Sequence, residues 1–223
     1  MSTQTAAQAL QIVTQELSTP VKTLKPLTAK FAGWLAFKTF GDPDLIRVAT
    51  AAQGWATAFR CASSNGQDAR SGVLKTNGIE CRIRPRWLSL IGSSGTGKTY
   101  VCRKLWDYAK RNSDWSKCEY FPKIIFWPDF VQQLRAGNSY EMRQEMKRWP
   151  VLFLDDIGAE RDPSGFAAEE LNTLLGCRVD KWTLITSNKD AEGLRAIDGR
   201  ILSRMIRDEN VCISINCPDF ATR

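Results

Sequence analysis

The sequence predicts an α/β fold in which a parallel sheet is covered by helices on both faces. Two observations carry this prediction. Short apolar runs alternate with helix-like stretches, as they do in sheets whose strands are buried on both sides. A glycine-rich stretch also separates an apolar run from an amphipathic segment, which is the order of a strand, a turn and a helix. Because ligands of such sheets bind at the carboxyl ends of the strands, we expect functional residues there.

Composition limits the size and the class of the protein. With 223 residues and 43% hydrophobic content, the chain can bury the core of one sizeable domain and a short appendage. It has no run of uncharged apolar residues as long as a membrane span and no secretion-type start, so we expect no membrane contact and a cytoplasmic location. The absence of histidine, together with seven cysteines that form no C-x-x-C pair, argues against a zinc module and against histidine-based catalysis.

The net charge of +7 is unevenly distributed along the chain. Residues 1–86 contain 11 lysines and arginines against 5 acidic residues, whereas residues 87–223 contain 20 against 19. An excess of positive charge before the glycine-rich stretch favours an acidic partner, such as nucleic acid or an acidic protein face. A solvated basic surface is the alternative interpretation.

The first forty residues predict a short helical arm. Residues 2–17 have the pattern of an amphipathic helix that ends before Pro20, and residues 21–40 form a second segment rich in lysine and large apolar side chains. Forty residues are too few for an independent domain, so the arm must pack on the core or on a partner. Its aromatic residues fit a docking surface or ordinary core equally well. We therefore divide the chain into an arm over 1–41 and a core over 42–223.

Asp42 and Pro43 predict the start of the first core helix, because they supply a capping side chain and then proline at the first helical position. A polar stretch over 61–78 carries turn signals, and residues 79–86 alternate as in a half-exposed strand. On such a strand, three arginines would share one face, which fits either a row of phosphate contacts or a solvated surface: Arg82, Arg84 and Arg86.

The rest of the chain predicts strands and helices in alternation. Apolar runs predict strands over 87–91, 123–127, 151–154, 182–188 and 211–215. Helices are predicted over 98–111, from Pro128 onward, over 139–149, from Pro163 to about Val179, and from Asp198 to Arg207.

The glycine-rich stretch fills every fixed position of the phosphate-binding pattern G-x-x-x-x-G-K-[ST] with Gly92, Ser93, Ser94, Gly95, Thr96, Gly97, Lys98 and Thr99. Its glycines let successive backbone N–H groups turn inward around a phosphate, and the following helix adds the positive end of its dipole. Lys98 would reach the β- and γ-phosphates, and the Thr99 hydroxyl would bind Mg²⁺. Together with Tyr100, which follows directly, this stretch is the predicted nucleotide-binding segment.

Two carboxylates at the end of an apolar strand supply the second half of a nucleotide hydrolase site. Asp155 would hold Mg²⁺, directly or through water, and Asp156 would accept a proton from the attacking water. Asn188, at the end of the next predicted strand, could orient that water. A GTPase is disfavoured, because the guanine-reading pattern N-K-x-D is broken by Ala191 at its fourth position. The paired carboxylates and Asn188 likewise disfavour a small-molecule kinase.

Several of these pieces together resemble one family, the DnaC, DnaI and IstB group of AAA+ ATPases. Beyond the phosphate loop, the matching pieces are F-V-Q-Q-L-R at 130–135, L-D-D-I-G-A-E at 154–160, L-I-T-S-N at 184–188 and G-R-I-L-S-R-M at 199–205. The resemblance implies a P-loop AAA+ core that binds ATP and Mg²⁺ and assembles as a homo-oligomeric ring or spiral. It also implies that Asn188 is a sensor and that Arg204 is an arginine finger on the neighbouring subunit's γ-phosphate, with Arg200 supporting that interface.

The function that this resemblance implies is the loading of a hexameric DnaB-type replicative helicase onto single-stranded DNA. The arm would contact the helicase, and Lys147 and Arg148 are candidates for DNA contacts. Two alternatives stay open: an IstB-like transposition helper on duplex DNA, and a nucleotide-gated adaptor with vestigial hydrolysis. The second alternative arises because Asp156 stands where relatives often carry glutamate. We expect no C-terminal lid domain, and the 61–86 insertion matches nothing in the family pattern.

Overall fold

The computed structural model describes residues 27–63, 72–76, 79–113, 115, 121–137 and 139–222. The helix predicted over residues 2–17 lies outside the described residues. None of the described helices has the length and apolarity needed to cross a bilayer.

The centre of the fold is a five-stranded parallel sheet, accompanied by a separate antiparallel hairpin. In chain order the strands are β1 (Gly72–Thr76), β2 (Ile79–Ile83), β3 (Trp87–Gly92), β4 (Lys123–Phe126), β5 (Val151–Ile157), β6 (Trp182–Ser187) and β7 (Val211–Ile215). Strands β1 and β2 form the hairpin, and the large sheet has the order β4-β5-β6-β3-β7.

Helices cover both faces of this sheet, which confirms the predicted fold class. They are α1 (Ala29–Leu35), α2 (Pro43–Ser63), α3 (Lys98–Arg111), α4 (Trp127–Arg135), α5 (Ser139–Arg148), α6 (Phe166–Gly176) and α7 (Ala191–Met205), followed by a short 3₁₀ helix (Phe220–Thr222). Because strand side chains alternate between faces, Phe153 of β5 packs in the core under α2 and α3, whereas Leu152 and Leu154 pack in the core under α4, α6 and α7.

The first core helix begins where the sequence predicts. One carboxylate oxygen of Asp42 accepts hydrogen bonds from the N–H groups of Asp44 (3.0 Å) and Leu45 (3.3 Å), which have no carbonyl partner within the helix. Helix α1 of the arm packs on α2, and its Leu35 is fully buried. The arm's aromatic rings at 31, 34 and 37 are partly buried against the same core. These rings belong to the core of the chain, whereas Phe40 is 56% exposed.

Three elements differ from the sequence prediction. Strand β2 ends at Ile83, because Pro85 has no N–H to donate to a strand partner, so Arg84 and Arg86 lie in the connection to β3 and do not continue a row with Arg82. Helix α6 covers only 166–176 of the predicted 163–179, since it begins after Gly165 at a positive φ of 75°. Helix α7 begins at Ala191 rather than at Asp198, and Asp198 marks a kink inside it.

Candidate nucleotide-binding site

The strand order determines which loops meet at the carboxyl edge of the sheet. Strand β6 lies between β3 and β5, so the residue that follows β6 stands between the glycine-rich loop after β3 and the carboxylates at the end of β5. The structure therefore brings Lys98, Thr99, Asp155, Asp156 and Asn188 to one site, as expected from the sequence.

The loop has the backbone that phosphate binding requires. Gly92, Gly95 and Gly97 all have positive φ values, of 115°, 67° and 81°. A side chain at Gly92 would also collide with the backbone of β7, since an added Cβ would lie 2.1 Å from the carbonyl oxygen of Ile215. The N–H groups of Gly92 and Ser93 hold the loop on the sheet by donating to the carbonyl oxygens of Lys189 (2.9 Å) and Ile215 (3.3 Å). An anion would therefore be bound by the N–H groups that follow in the loop.

Lys98 is folded back onto its own loop. Its Nζ donates to the carbonyl oxygen of Gly92 (3.0 Å) and to that of Ser93, and it lies 3.4 Å from the Thr96 hydroxyl. Burial lowers the pKa of Lys98, and the negative charges of Asp156, Cys217 and Asp155 act in the opposite direction. An ammonium held this way is ready to exchange carbonyl partners for phosphate oxygens.

Thr99 and Asp155 form a pair that suits Mg²⁺. The Thr99 hydroxyl donates to Oδ1 of Asp155 over 3.0 Å, and the carboxylate is buried. Among the described residues, no group of three or more acidic, cysteine or histidine side chains could hold a metal. The Thr99–Asp155 pair suits Mg²⁺ because this ion usually takes one or two protein oxygens and completes its shell with waters and phosphate oxygens.

Asp156 is half-buried and has a positive φ of 64°, which is uncommon for a residue other than glycine. Its Oδ1 accepts a hydrogen bond from the side-chain amide of Asn188 over 2.6 Å. Burial raises the pKa of Asp156, as does the neighbouring charge of Asp155, whereas Lys98 lowers it. The carboxylate and the amide thus stand together at the edge where an attacking water would be held.

Thr186 is a residue of the site to which sequence reasoning assigned no role. Its hydroxyl donates to Oδ1 of Asp155 (2.6 Å) and accepts the backbone N–H of Asp156 (2.9 Å), so it touches both carboxylate residues. Its position two residues before Asn188, in the T-S-N element, was the available signal.

The outer side of the loop is covered by the segment after β7 and by the α1–α2 connection. The N–H of Phe220 donates to the carbonyl oxygen of Gly95 (3.0 Å), and a Cβ added at Gly95 would lie 1.9 Å from Cγ of Asp219. Phe37 stacks on Tyr100 with 6.3 Å between ring centroids, and the Tyr100 hydroxyl donates to the carbonyl oxygen of Leu35 over 2.8 Å. These contacts connect the predicted nucleotide segment to the arm.

Arg200 and Arg204 lie away from the other predicted site residues. Arg200 forms an ion pair with Asp198 on its own helix (2.8 Å), and Nη1 of Arg204 donates to the backbone and side-chain oxygens of Asn172. Arg204 lines a cavity of about 310 Å³ beside Trp87 and Asn210, at the amino ends of β3 and β7. The structure therefore places Arg204 at the sheet edge opposite the phosphate loop of its own chain.

Comparison with known proteins connects this geometry to a family. Residues 65–210 match the model of the bacterial DnaA ATPase domain. The chromosomal replication initiator protein DnaA of Francisella tularensis subsp. novicida is 26% identical over 137 residues, which make up 61% of this chain and 28% of that protein. The chain thus spans well under half the length of the curated relatives it matches.

Solved structures are similar over most of the chain. The structure of DnaI is 25% identical with a TM-score of 0.56, and the match covers 83% of this chain and 88% of that one. The structure of the DnaC helicase loader, at 16% identity, shares the fold with a TM-score of 0.56 over 85% of this chain and 100% of that one.

Proposed function

The chain belongs to the bacterial DnaA ATPase-domain family, and we propose that it acts as an ATP-dependent helicase loader. It has the core of a DnaC/DnaI-type AAA+ ATPase, and its proposed task is to place a hexameric DnaB-type helicase on single-stranded DNA. The observation that carries the ATPase part is the meeting of the phosphate loop, the carboxylate pair and Asn188 at one sheet edge. Support for the loader part comes from the likeness to DnaI and to the DnaC helicase loader.

Each side chain of the site has a role in this proposal. Lys98 and the loop N–H groups bind the β- and γ-phosphates of ATP, and Thr99 and Asp155 hold Mg²⁺, which neutralises phosphate charge. Asn188 orients a water, whose oxygen bonds to the γ-phosphorus as the bond to the bridging oxygen breaks. Asp156 takes the proton of that water, and ADP and phosphate are released.

The proposal extends to assembly and partners. Arg204 lies at the sheet edge opposite the phosphate loop of its own chain, so we infer that it acts on the nucleotide of a neighbouring copy in a ring or spiral, with Arg200 supporting the interface. The arm over 1–41 is the proposed contact with the helicase. Its described part packs against Tyr100, which follows the phosphate loop, so a nucleotide there could change how the arm is held.

Lys98→Ala tests the nucleotide site. We expect the variant to lose ATP binding in isothermal titration, because it removes the cation that faces the phosphates. It should also lose ATP-dependent stimulation of a replicative helicase that displaces an oligonucleotide annealed to single-stranded circular DNA. Lys110→Ala, an exposed lysine of the same helix, is the matched control and should behave as the unmodified protein. Equal ATP affinity in Lys98→Ala and in the control would contradict the proposed site.

A second candidate, a nucleotide-gated adaptor with vestigial hydrolysis, is favoured by one contact. The carboxylate of Asp156, which would act as the base, is already bonded to Asn188 over 2.6 Å. Binding of ATP without turnover, even with DNA and helicase present, would favour this candidate over the loader with active hydrolysis.

A further inference from the structure

The end of strand β5 contains a bulge at the two carboxylate residues. Leu154 pairs with Ile185, but the next recorded pair joins Ile157 to Ser187, so three steps along β5 correspond to two along β6. One extra residue is therefore inserted between Leu154 and Ile157, which is how a β-bulge is defined.

The bulge explains how neighbouring residues can serve one site. In a regular strand, consecutive side chains point to opposite faces of the sheet, so Asp155 and Asp156 would be separated. The positive φ of Asp156 breaks this alternation. Asp155 then contacts Thr99 of the phosphate-loop helix (3.0 Å), and Asp156 contacts Asn188 after the adjacent strand (2.6 Å).

A bulge leaves backbone N–H and C=O groups without a partner on the neighbouring strand. Here the Thr186 side chain supplies a partner for one of them. The Thr186 hydroxyl accepts the N–H of Asp156 over 2.9 Å and gives its own hydrogen to Oδ1 of Asp155 over 2.6 Å. The side chain is 1% exposed, so water does not compete for these bonds. Thr99 donates to the same oxygen from the other side over 3.0 Å.

We propose that Thr186 is a positioning residue for nucleotide hydrolysis: its hydroxyl fixes the bulge so that Asp155 faces the metal side and Asp156 faces the water side of one site. The inference rests on the proposed ATPase function and deepens it. Thr186 is buried behind the two carboxylate residues. It acts through the backbone of Asp156 and the carboxylate of Asp155, and the neighbouring Ser187 supports the same bulge by donating to the carbonyl oxygen of Ile157 (2.7 Å).

Thr186→Val and Thr186→Ser separate the hydroxyl from the shape of the side chain. For each variant, the affinity for ATP is measured by isothermal titration with excess Mg²⁺ and with EDTA, and turnover is measured at saturating ATP. Thr186→Val should keep the affinity measured in EDTA, because the phosphate loop is unchanged. The factor by which Mg²⁺ raises its ATP affinity should be about tenfold smaller, as is usual when a partner of a metal ligand is removed. Its turnover should fall about 100-fold, because Asp156 is misplaced.

The controls distinguish positioning from a general loss of structure. Thr186→Ser keeps the hydroxyl and should stay within about twofold of the unmodified protein in both measurements. Ser89→Ala removes a buried hydroxyl of the adjacent strand that has no hydrogen-bond partner in the part of the chain that the structure describes, and it should change neither measurement. If Thr186→Val does not fold, as judged by circular dichroism, Thr186→Ala takes its place in the comparison with Thr186→Ser.

Two outcomes would overturn the inference while leaving the proposed function intact. One is that, in the folded variant that lacks the hydroxyl, both the turnover and the increase in ATP affinity caused by Mg²⁺ are unchanged. The other is a loss of ATP affinity of the same size in EDTA and in Mg²⁺, which is the signature of a merely structural residue. Failure of the unmodified protein to bind ATP at all would instead refute the proposed function itself.

Discussion

Arg178 carries a positive charge into the interior of the protein. It is 0% exposed, and its guanidinium donates to the Thr183 hydroxyl (3.2 Å) and to the carbonyl oxygens of Trp182 (2.8 Å), Trp149 and Met146. Burial lowers its pKa to about 9. The planar group offers five N–H donors in a fixed arrangement, so it can join the end of α5 to the start of β6 through neutral acceptors.

Arg178→Met should destabilise the protein strongly, because it leaves these buried acceptors without a donor. We expect the free energy of unfolding to fall by about 2–5 kcal/mol, measured by urea denaturation. Arg207→Met, at an exposed position after α7, is the control and should change stability by less than about 0.5 kcal/mol. Similar losses in the two variants would show that the buried bonds of Arg178 contribute little.

At the scale of single residues, the sequence predicts the groups whose chemistry follows a local pattern. Lys98 and Thr99 are fixed by the loop motif, and the carboxylate pair by its position after an apolar run. The T-S-N element places Thr186 near the site, but the contacts of Thr186 and of Asp219 depend on which strand lies beside β5 and on where the segment after β7 runs. Such contacts join residues far apart in the chain, and no local spacing encodes them.

Helix α7 is made of two helical segments that meet at Asp198. The backbone there is extended, with φ −162° and ψ 116°, and Oδ1 of Asp198 accepts the N–H of Arg200 over 2.9 Å as an N-terminal cap. The sequence therefore predicts a real helix start at Asp198, but it misses the preceding segment. Asp190 caps that segment by accepting the N–H of Gly193 over 2.7 Å. A local cap signal marks a start without telling whether another helix leads directly into it.

Asp198→Ala should destabilise the second segment of α7. At pH 7 we expect a loss of about 0.5–2 kcal/mol in the free energy of unfolding, whereas Asp198→Asn should retain most of the cap. Hydrogen bonds from the Arg200 guanidinium are the main cause that lowers the pKa of Asp198 in the folded protein. The charge therefore stabilises the fold above the ordinary carboxyl pKa of about 4, and that stabilisation disappears as the pH falls through the lowered value.

Urea denaturation at pH 7 and at pH 3 checks this prediction. The stability difference between the unmodified protein and Asp198→Ala should be smaller at pH 3. The Asp198→Asn variant should come closer to the unmodified protein there, because pH 3 lies below the ordinary carboxyl pKa and part of the stabilisation by the charge of Asp198 is lost. A difference between the unmodified protein and Asp198→Ala that is equal at both pH values would mean that the charge of Asp198 plays no part.

In the whole molecule, the composition of the site depends more on the order of the strands in the sheet than on which segments form strands. The alternation of strands and helices along the chain predicts a covered parallel sheet, yet it does not say that β6 is inserted between β3 and β5. That insertion places Asn188 and Thr186 between the phosphate loop and the carboxylates. The strand order is set by packing between distant segments, so it emerges only in the folded chain.

The same topology separates Arg204 from the site on its own chain. Helix α7 starts next to the loop, where the carbonyl oxygen of Lys189 accepts the N–H of Gly92 (2.9 Å), and it runs back to the opposite edge of the sheet. Fifteen helical residues span on the order of 20 Å. An arginine at the far end can serve a nucleotide only across a contact between copies, in which the two edges of the sheet face each other in head-to-tail order.

A mixing experiment tests this arrangement. Lys98→Ala subunits keep Arg204 but lose the nucleotide site, and Arg204→Ala subunits keep the site but lose the arginine, so each variant alone should have turnover reduced by a factor of about 10³ or more. In an equimolar mixture, about a quarter of head-to-tail contacts would pair an intact site with an intact arginine. ATPase turnover should therefore reappear on mixing, at about a quarter of the unmodified level if subunits exchange at random. If the mixture stays as inactive as its components while light scattering shows mixed assemblies, then Arg204 does not act on a neighbour's nucleotide.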